Sequence, residues 1–152
     1  MFTHGNGARK RVVITGMGAV SPLGNDVEST WAGLMKGECA VERITRFDTT
    51  DFPSTIAACV RDFDPLKYMD KRDARRMAAF LHFAVAASHQ AVEESGLDFS
   101  LEDPTRTGIE IGSAIGGADV VEEQRLVLEQ YGVKKVNPSA IPALLINMAG
   151  CF

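Results

Sequence analysis

The sequence predicts an α/β fold in which helices and strands pack in layers. The chain has 152 residues, of which 45% are hydrophobic, enough for one domain to bury a sizeable core. Short segments rich in β-branched residues alternate with longer segments whose apolar residues recur at helical spacing. The resulting order of strand, helix, strand, helix, strand, helix and helix favours an α/β over an all-helical architecture.

The first predicted pair is a strand over residues 11–15 and a helix that ends at Gly37. The strand is predicted from the apolar run Val-Val-Ile, which is typical of a buried strand. Asn25 is the expected N-cap of the helix, with Glu28 three residues later as its capping-box partner. Gly37 supplies the C-terminal stop. The apolar stripe of this helix consists of Val27, Trp31, Leu34 and Met35.

The second pair is a strand over residues 54–60, after a loop over residues 39–53, and the longest predicted helix. Asp70 is the expected cap of this helix, and Ser95-Gly96 is its expected end. One face carries the residues expected to point into the core, which are Met77, Phe80, Leu81, Ala84, Val85, Ser88 and Val92.

The third strand is predicted over residues 107–112, where Glu110 is unexpected because both faces of the strand should be covered. A turn of small residues follows over residues 113–117, and then a helix over residues 120–131. The apolar segment 137–148 contains Pro138 and Pro142. A proline disfavours helix interiors, so any helix here is expected after the second proline.

Charge and cysteine content narrow the possible functions. Sixteen basic and twenty acidic residues give a net charge of −4, so the overall balance favours neither nucleic acid nor an anionic membrane. Apolar runs long enough for a signal or a membrane span are absent from the sequence, and residues 1–9 resemble a flexible leader. Cys39, Cys59 and Cys151 match neither a disulfide framework nor a zinc pattern. We therefore expect a cytoplasmic protein without a metal.

Gly16 and Gly18 raise the alternative of a dinucleotide-binding turn. That fingerprint needs a third glycine or alanine where the helix meets the strand, but Ser21 and Pro22 follow here. The acidic residue expected about 20 residues further on would be Glu38, which lies in a predicted loop. The simpler interpretation is that the two glycines permit close packing. A dinucleotide-dependent oxidoreductase stays as a further alternative.

Residues 12–24, VVITGMGAVSPLG, followed by Trp31 and Gly37, resemble the N-terminus of the β-ketoacyl-acyl-carrier-protein synthases, particularly the elongating synthase II type. The resemblance continues in the family's order through residues 46–48, 71–77, 111–117 and 137–148. It implies a partial thiolase-like, layered αβα(βα) architecture, N-terminal half only. Residues 10–152 would be the N-terminal portion of a ketosynthase domain.

The resemblance implies a decarboxylative Claisen condensation of an acyl thioester with malonyl-carrier-protein, in fatty acid or polyketide biosynthesis, by a homodimer without a cofactor. The nucleophilic cysteine, two histidines and a lysine of the family are expected beyond Phe152, so no catalytic residue is assigned in this chain. Cys151 is not the expected nucleophile because no helix follows it to activate the thiol. The chain alone is expected to be inactive and prone to aggregation. A partner subunit without the cysteine, resembling chain-length factors, is the alternative.

A cluster of basic residues at the start of the longest predicted helix is a candidate docking surface. Helical spacing places Arg72, Arg75 and Arg76 opposite the apolar face, and hence in solvent. With Lys71 they lie in the first two turns, where the helix dipole disfavours cations. Because these cations are unfavourable for helix stability, their presence indicates a binding partner. The resemblance implies that this partner is acyl carrier protein, a small acidic domain.

The resemblance also implies an acyl tunnel. Its wall would include the small-residue turn, with Ile115 pointing toward the acyl chain, and a second segment that approaches from the partner subunit. The candidate residues are Gly112, Ser113, Ala114, Ile115, Gly116, Ala140 and Ile141. Ser139 and Ala140 stand where many such synthases carry bulky aromatics, which implies a wider tunnel. His82 and His89, seven residues apart on one helix flank, do not by themselves make a metal site.

Overall fold

The computed structural model describes residues 11–151, so the predicted leader lies outside the described residues. Helices make up most of the regular structure. In chain order the elements are α1 (Val27–Lys36), β1 (Val41–Arg43), β2 (Ile56–Ala58), α2 (Lys71–Ala74), α3 (Ala79–Ser95), α4 (Ala118–Tyr131) and α5 (Ala140–Leu144). Short 3-10 turns lie at Pro65–Lys67, Pro104–Arg106, Val133–Lys135 and Ile146–Gly150. None of the helices within residues 11–151 is long and apolar enough to cross a membrane.

The core of the molecule forms around the first turns of α3. Leu81 is completely buried, and Met77 and Ala149 pack with it. Around these three lie the partly buried side chains of Met69, Phe80, Ala84, Ile111 and Met148. The predicted core face is therefore confirmed at Met77, which precedes α3, and at Leu81, but it is wrong at Ser88 and Val92, which are exposed. The 3-10 turn Ile146–Gly150 packs against α3 on the buried side.

The single long helix predicted from Asp70 is wrong, because the structure divides it into α2 and α3. Asp70 does act as a cap: its Oδ1 accepts hydrogen bonds of 2.8 Å from the backbone N–H groups of both Arg72 and Asp73. The break falls at Ala78, whose backbone is extended at φ −73° and ψ 161°. Met77 and Ala78 are both buried, so packing of these residues into the core overrides the local helical pattern. The predicted end is confirmed, since Gly96 adopts φ 65°.

The described residues contain one sheet, a two-stranded antiparallel pair of β1 and β2. Its register pairs Val41 with Ala58 and Arg43 with Ile56. The strand predicted over residues 54–60 is confirmed in shorter form by β2, and Cys59 falls just outside it. The loop predicted over residues 39–53 is wrong where β1 forms within it.

The strands predicted over residues 11–15 and 107–112 are wrong, because neither segment forms a strand. Their apolar side chains are exposed, with Val12 94%, Ile14 83% and Ile109 73% accessible. A strand exists only when its backbone pairs with a neighbour, and within residues 11–151 no segment pairs with either. Glu110 is exposed, so the carboxylate needs no protein partner.

The segment that contains Gly16 and Gly18 lies directly on α3. A Cβ atom added to Gly18 would collide with the backbone carbonyl of Ala87, and one added to Gly16 with the carbonyl of Ala91. The Ala19 N–H donates to Gln90 Oε1 at 3.0 Å, and the Met17 N–H donates to the Glu94 carboxylate. The two glycines therefore permit close packing, here against a helix. They do not lead into a dinucleotide-binding helix, because α1 begins only at Val27.

The N-cap of α1 is Asp26, so the prediction of Asn25 is wrong. Asp26 Oδ1 accepts hydrogen bonds from Ser29 N–H at 2.7 Å and from Ser29 Oγ at 2.6 Å. These bonds stabilise the ionised carboxylate and hold the pKa of Asp26 below its ordinary value of 3.8. Asn25 instead donates through Nδ2 to the carbonyl of Arg61 at 2.9 Å. Gly37 ends the helix at φ 69°, as predicted.

Two further predictions concern the C-terminal helices. The helix predicted over residues 120–131 is confirmed by α4. The restriction of the last helix to residues after Pro142 is wrong, since α5 contains that proline as its third residue. The first turn of a helix tolerates proline, because the N–H groups there have no intrahelical acceptor.

We expect Gly18→Ala to destabilise the protein by about 1–3 kcal/mol, because the new methyl group would collide with the backbone of α3. Gly108→Ala is the matched control, since its Cβ would have no atom within 4 Å. Denaturant unfolding of both variants measures the difference. Equal stability of the two would contradict the close contact between this segment and α3.

Candidate functional site

The turn of small residues over residues 113–117 is joined to the end of α5. Inside the turn, Ser113 Oγ accepts a 3.1 Å hydrogen bond from Gly116 N–H, and Gly116 adopts φ 67°, which favours glycine. The Gly117 N–H then donates to the carbonyl of Leu144 at 3.1 Å. Two segments that are far apart in the sequence are thus held together through their backbones.

Gly117 allows this turn to lie against two helices at once. A Cβ atom there would be 2.8 Å from the carbonyl oxygen of Ala143, 2.9 Å from the Cα of Leu144 and 3.0 Å from the Cβ of Ala78. These atoms belong to α5 and to the residue that precedes α3. The sequence predicts Gly117 only as part of the turn, because its tight surroundings follow from tertiary packing that the local sequence does not encode.

Within this one chain, the small-residue turn meets the end of α5 and the residues after it, whereas the second predicted part of the tunnel is expected to approach from a partner subunit. Gly116 lies against Leu144 and Ile146, and α5 carries both Ala140 and Ile141. Ala140 is buried, whereas Ile115 and Ile141 are 74% and 62% exposed. Of the other candidates, Ser113 is half-buried, whereas Gly112 and Ala114 are exposed. The role of these residues in a tunnel stays a prediction.

The four cations Lys71, Arg72, Arg75 and Arg76, called the basic cluster below, lie in the first half of α2 and in the turn that follows it. The predicted place of Arg72, Arg75 and Arg76 on one face of a single long helix is wrong, because α2 ends at Ala74 and two of the arginines come after it. The dipole of so short a helix is also weak, since α2 has only four residues. None of the four forms a salt bridge with a partner among residues 11–151, so the cluster presents unpaired positive charge.

His82 and His89 have different surroundings, although both lie on α3. The Nε2 atom of His82 is 2.9 Å from the carbonyl oxygen of Ala74 at the end of α2. His89 Nδ1 lies 3.8 Å from the Glu93 carboxylate in solvent. The part of the chain that the structure describes holds no group of three or more side chains able to bind a metal ion. Sequence reasoning missed the His82 contact, because it crosses the unexpected break between two helices.

The three cysteines are exposed free thiols. Cys151 follows the 3-10 turn Ile146–Gly150, and its thiol donates to the carbonyl of Asn147 at 3.5 Å. The thiol therefore faces the carbonyl end of a helical turn. A cysteine nucleophile is activated at the opposite end, where N–H groups face the sulfur.

The model of the family "Beta-ketoacyl synthase, N-terminal domain" matches residues 9–152. The chain therefore belongs to the β-ketoacyl synthase family, and the resemblance inferred from the sequence is confirmed.

The sequence of a curated relative agrees with this family assignment. The chain is 43% identical over 141 residues to the "3-oxoacyl-[acyl-carrier-protein] synthase 2" of Vibrio harveyi. The aligned part is 93% of this chain but 34% of the relative. The chain thus spans about a third of the length of the curated relatives it matches.

Two solved structures resemble this one in fold. The first, described as a type II PKS acyl-carrier protein in complex with its ketosynthase bound to the hexaketide, matches with a TM-score of 0.75 at 29% identity, over 94% of this chain and 37% of that chain. The second, the ishigamide ketosynthase/chain length factor, gives 0.73 at 29% identity, over 93% and 36%. The predicted α/β, thiolase-like fold class is confirmed by these likenesses, even though two of the predicted strands are unpaired.

We expect Gly117→Ala to loosen the junction between the small-residue turn and α5, because its methyl group would lie within 3.0 Å of three atoms there. Hydrogen–deuterium exchange should become faster at the backbone amide of Gly117 and along α5. Gly112→Ala is the control, since a Cβ at that position meets open space. Unchanged exchange in the Gly117 variant would show that the junction is looser than described.

Proposed function

We propose that this chain forms part of a 3-oxoacyl-[acyl-carrier-protein] synthase, an acyltransferase of fatty acid or polyketide biosynthesis. The observation that carries the proposal is the 43% identity to a synthase of that name over nearly the whole chain. The site supports it, because the glycine turn and the short helix α5 come together beside Ala78. The cytoplasmic location predicted from the sequence belongs to the same proposal.

The proposed reaction joins two thioesters. An acyl group passes from a carrier thioester to a cysteine sulfur, and the carrier thiol leaves. Malonyl-carrier-protein then loses carbon dioxide, and the carbanion that forms attacks the acyl carbonyl, so that the cysteine thiolate leaves and a 3-oxoacyl-carrier-protein results. An activated thiol and preorganised donors for the oxyanion are the groups this chemistry requires. We assign none of them to this chain and expect them in the two thirds of the relatives that it does not cover.

The proposed contribution of this chain is the wall of the acyl tunnel. The proposal places Gly112, Gly116 and Ala140 in that wall because the resemblance assigns them there. The exposed isoleucines Ile115 and Ile141 offer a hydrocarbon chain apolar contact. These side chains are free to meet other parts of a complete synthase, including a second subunit. The homodimer expected from the resemblance is part of this proposal.

The basic cluster is proposed as the docking surface for acyl carrier protein. Its support is the four cations without salt bridges in the described chain, in a protein whose net charge is negative. Such a patch attracts an acidic partner and speeds its association at low salt. A solved ketosynthase of similar fold is described in complex with its acyl-carrier protein, which supports the same type of partner here.

A second candidate is a non-catalytic partner subunit that sets chain length. The similarity to a structure described as a ketosynthase/chain length factor favours it. The residue at the nucleophile position of the complete protein separates the two candidates. A cysteine there, with condensation turnover on acyl- and malonyl-carrier-protein, supports the synthase, whereas another residue and no turnover support the partner subunit.

Charge reversal at Arg72, Arg75 and Arg76 in the complete protein should raise the KM for carrier-bound substrate by about tenfold or more and flatten its dependence on salt, because attraction to the acidic partner is lost. Steady-state kinetics over a range of salt concentrations measure both effects. Lys36→Glu is the control, since it reverses an exposed cation on α1. Unchanged carrier kinetics in the triple variant would discard this docking surface.

Ser139→Phe should lower kcat/KM for long acyl chains by about tenfold or more while sparing short ones, because the aromatic ring would narrow the proposed tunnel. Kinetics with a series of acyl chain lengths provide the measurement. Val133→Phe is the matched control, because Val133 is 75% exposed in a neighbouring 3-10 turn. An equal loss for all chain lengths would count against a tunnel wall at this position.

A further inference from the structure

The turn that carries two arginines of the basic cluster is fastened by a histidine from the next helix. The ring nitrogen Nε2 of His82 lies 2.9 Å from the carbonyl oxygen of Ala74, the last residue of α2. A carbonyl oxygen only accepts hydrogen bonds, so Nε2 carries the hydrogen and donates it. Within the described residues, no backbone N–H donates a hydrogen bond to the Ala74 carbonyl.

The short helix α2 needs such support, because a helix of four residues is too short to be stable alone. Its first residues are held by Asp70, which caps them. Beyond the turn, Met77 is fixed in the core. Arg75 and Arg76 lie between these anchors, directly after the carbonyl that His82 binds. The His82 contact therefore fixes the point at which the chain leaves α2.

We propose that His82 is a positioning residue for the basic cluster, which acts by holding the Arg75–Arg76 turn in the conformation that meets an acidic protein partner. This inference rests on the proposed function of the cluster as a docking surface. His82 is itself half-buried and reaches the turn through its backbone carbonyl. His82 thus keeps the turn ordered before the partner binds. A surface that is already ordered loses less conformational freedom when the partner docks.

The sequence of α3 offers a matched comparison for this role. His89 lies two turns further along the same helix, is exposed, and has its nearest charged partner, Glu93, on its own helix. Replacing either histidine by phenylalanine keeps a ring of similar size and removes the donor. Replacing His82 by glutamine keeps an N–H donor that is able to reach a neighbouring carbonyl.

The experiment compares His82→Phe, His82→Gln and His89→Phe in the complete protein, with acyl carrier protein and with a small thioester substrate that lacks the carrier domain. His82→Phe should raise the KM for the carrier substrate about three- to tenfold, as expected for one lost hydrogen bond. The kcat and the KM for the small thioester should stay within about twofold of the parent protein. His82→Gln should recover most of the carrier KM, and His89→Phe should leave it unchanged.

Two results would overturn the proposal. One is a carrier KM for His82→Phe equal to that of the parent protein, and the other is an equal rise for both substrates, which indicates general damage to the fold. Charge reversal of Arg75 and Arg76 in the same assay tests the docking surface separately. If that reversal raises the carrier KM and His82→Phe does not, the docking surface is supported and the proposed role of His82 is rejected. If neither variant changes the carrier KM, the docking surface and the role of His82 are both rejected. Faster amide exchange at Arg75 and Arg76 in His82→Phe gives a second measurement, independent of turnover.

Discussion

Backbone contact with α3 is the constraint on which the rest of the molecule depends. On one side, Gly16 and Gly18 let the N-terminal segment touch the carbonyls of the helix. At its start, Gly117 lets the small-residue turn approach Ala78. Side chains at these positions would push both segments outward. The helix itself is anchored by Leu81, which is completely buried. The candidate tunnel residues and the basic cluster owe their positions to the same helix.

The helices could be predicted largely from the sequence because their signals are local. The caps and stops at Asp70, Gly37 and Gly96 act within a few residues of the segments they bound. The break at Ala78 could not be predicted, because it arises from burial of Met77 and Ala78 in the tertiary structure. A pattern of apolar spacing shows which face is buried, but it does not show where the path of the backbone must bend to bury it.

The strands were predicted less well, because a strand depends on a neighbour elsewhere in the chain. Residues 11–15 and 107–112 have the composition of buried strands, yet neither is paired within the described chain. The short pair of β1 and β2 forms where only its second strand was expected. The candidate site residues are predicted from motifs that occur in the same order as in the β-ketoacyl synthase family. Its geometry, including the Gly117 junction and the His82 contact, depends on residues distant in sequence and became visible only in three dimensions.

The outward face of α1 has a practical consequence. Trp31, the single tryptophan of the chain, is 61% exposed there beside Leu34 and Met35. The indole emission of the whole molecule thus comes from one apolar surface in contact with water. Any polypeptide that covers this helix would shift that emission to shorter wavelength, so the chain carries an intrinsic optical reporter of its own assembly.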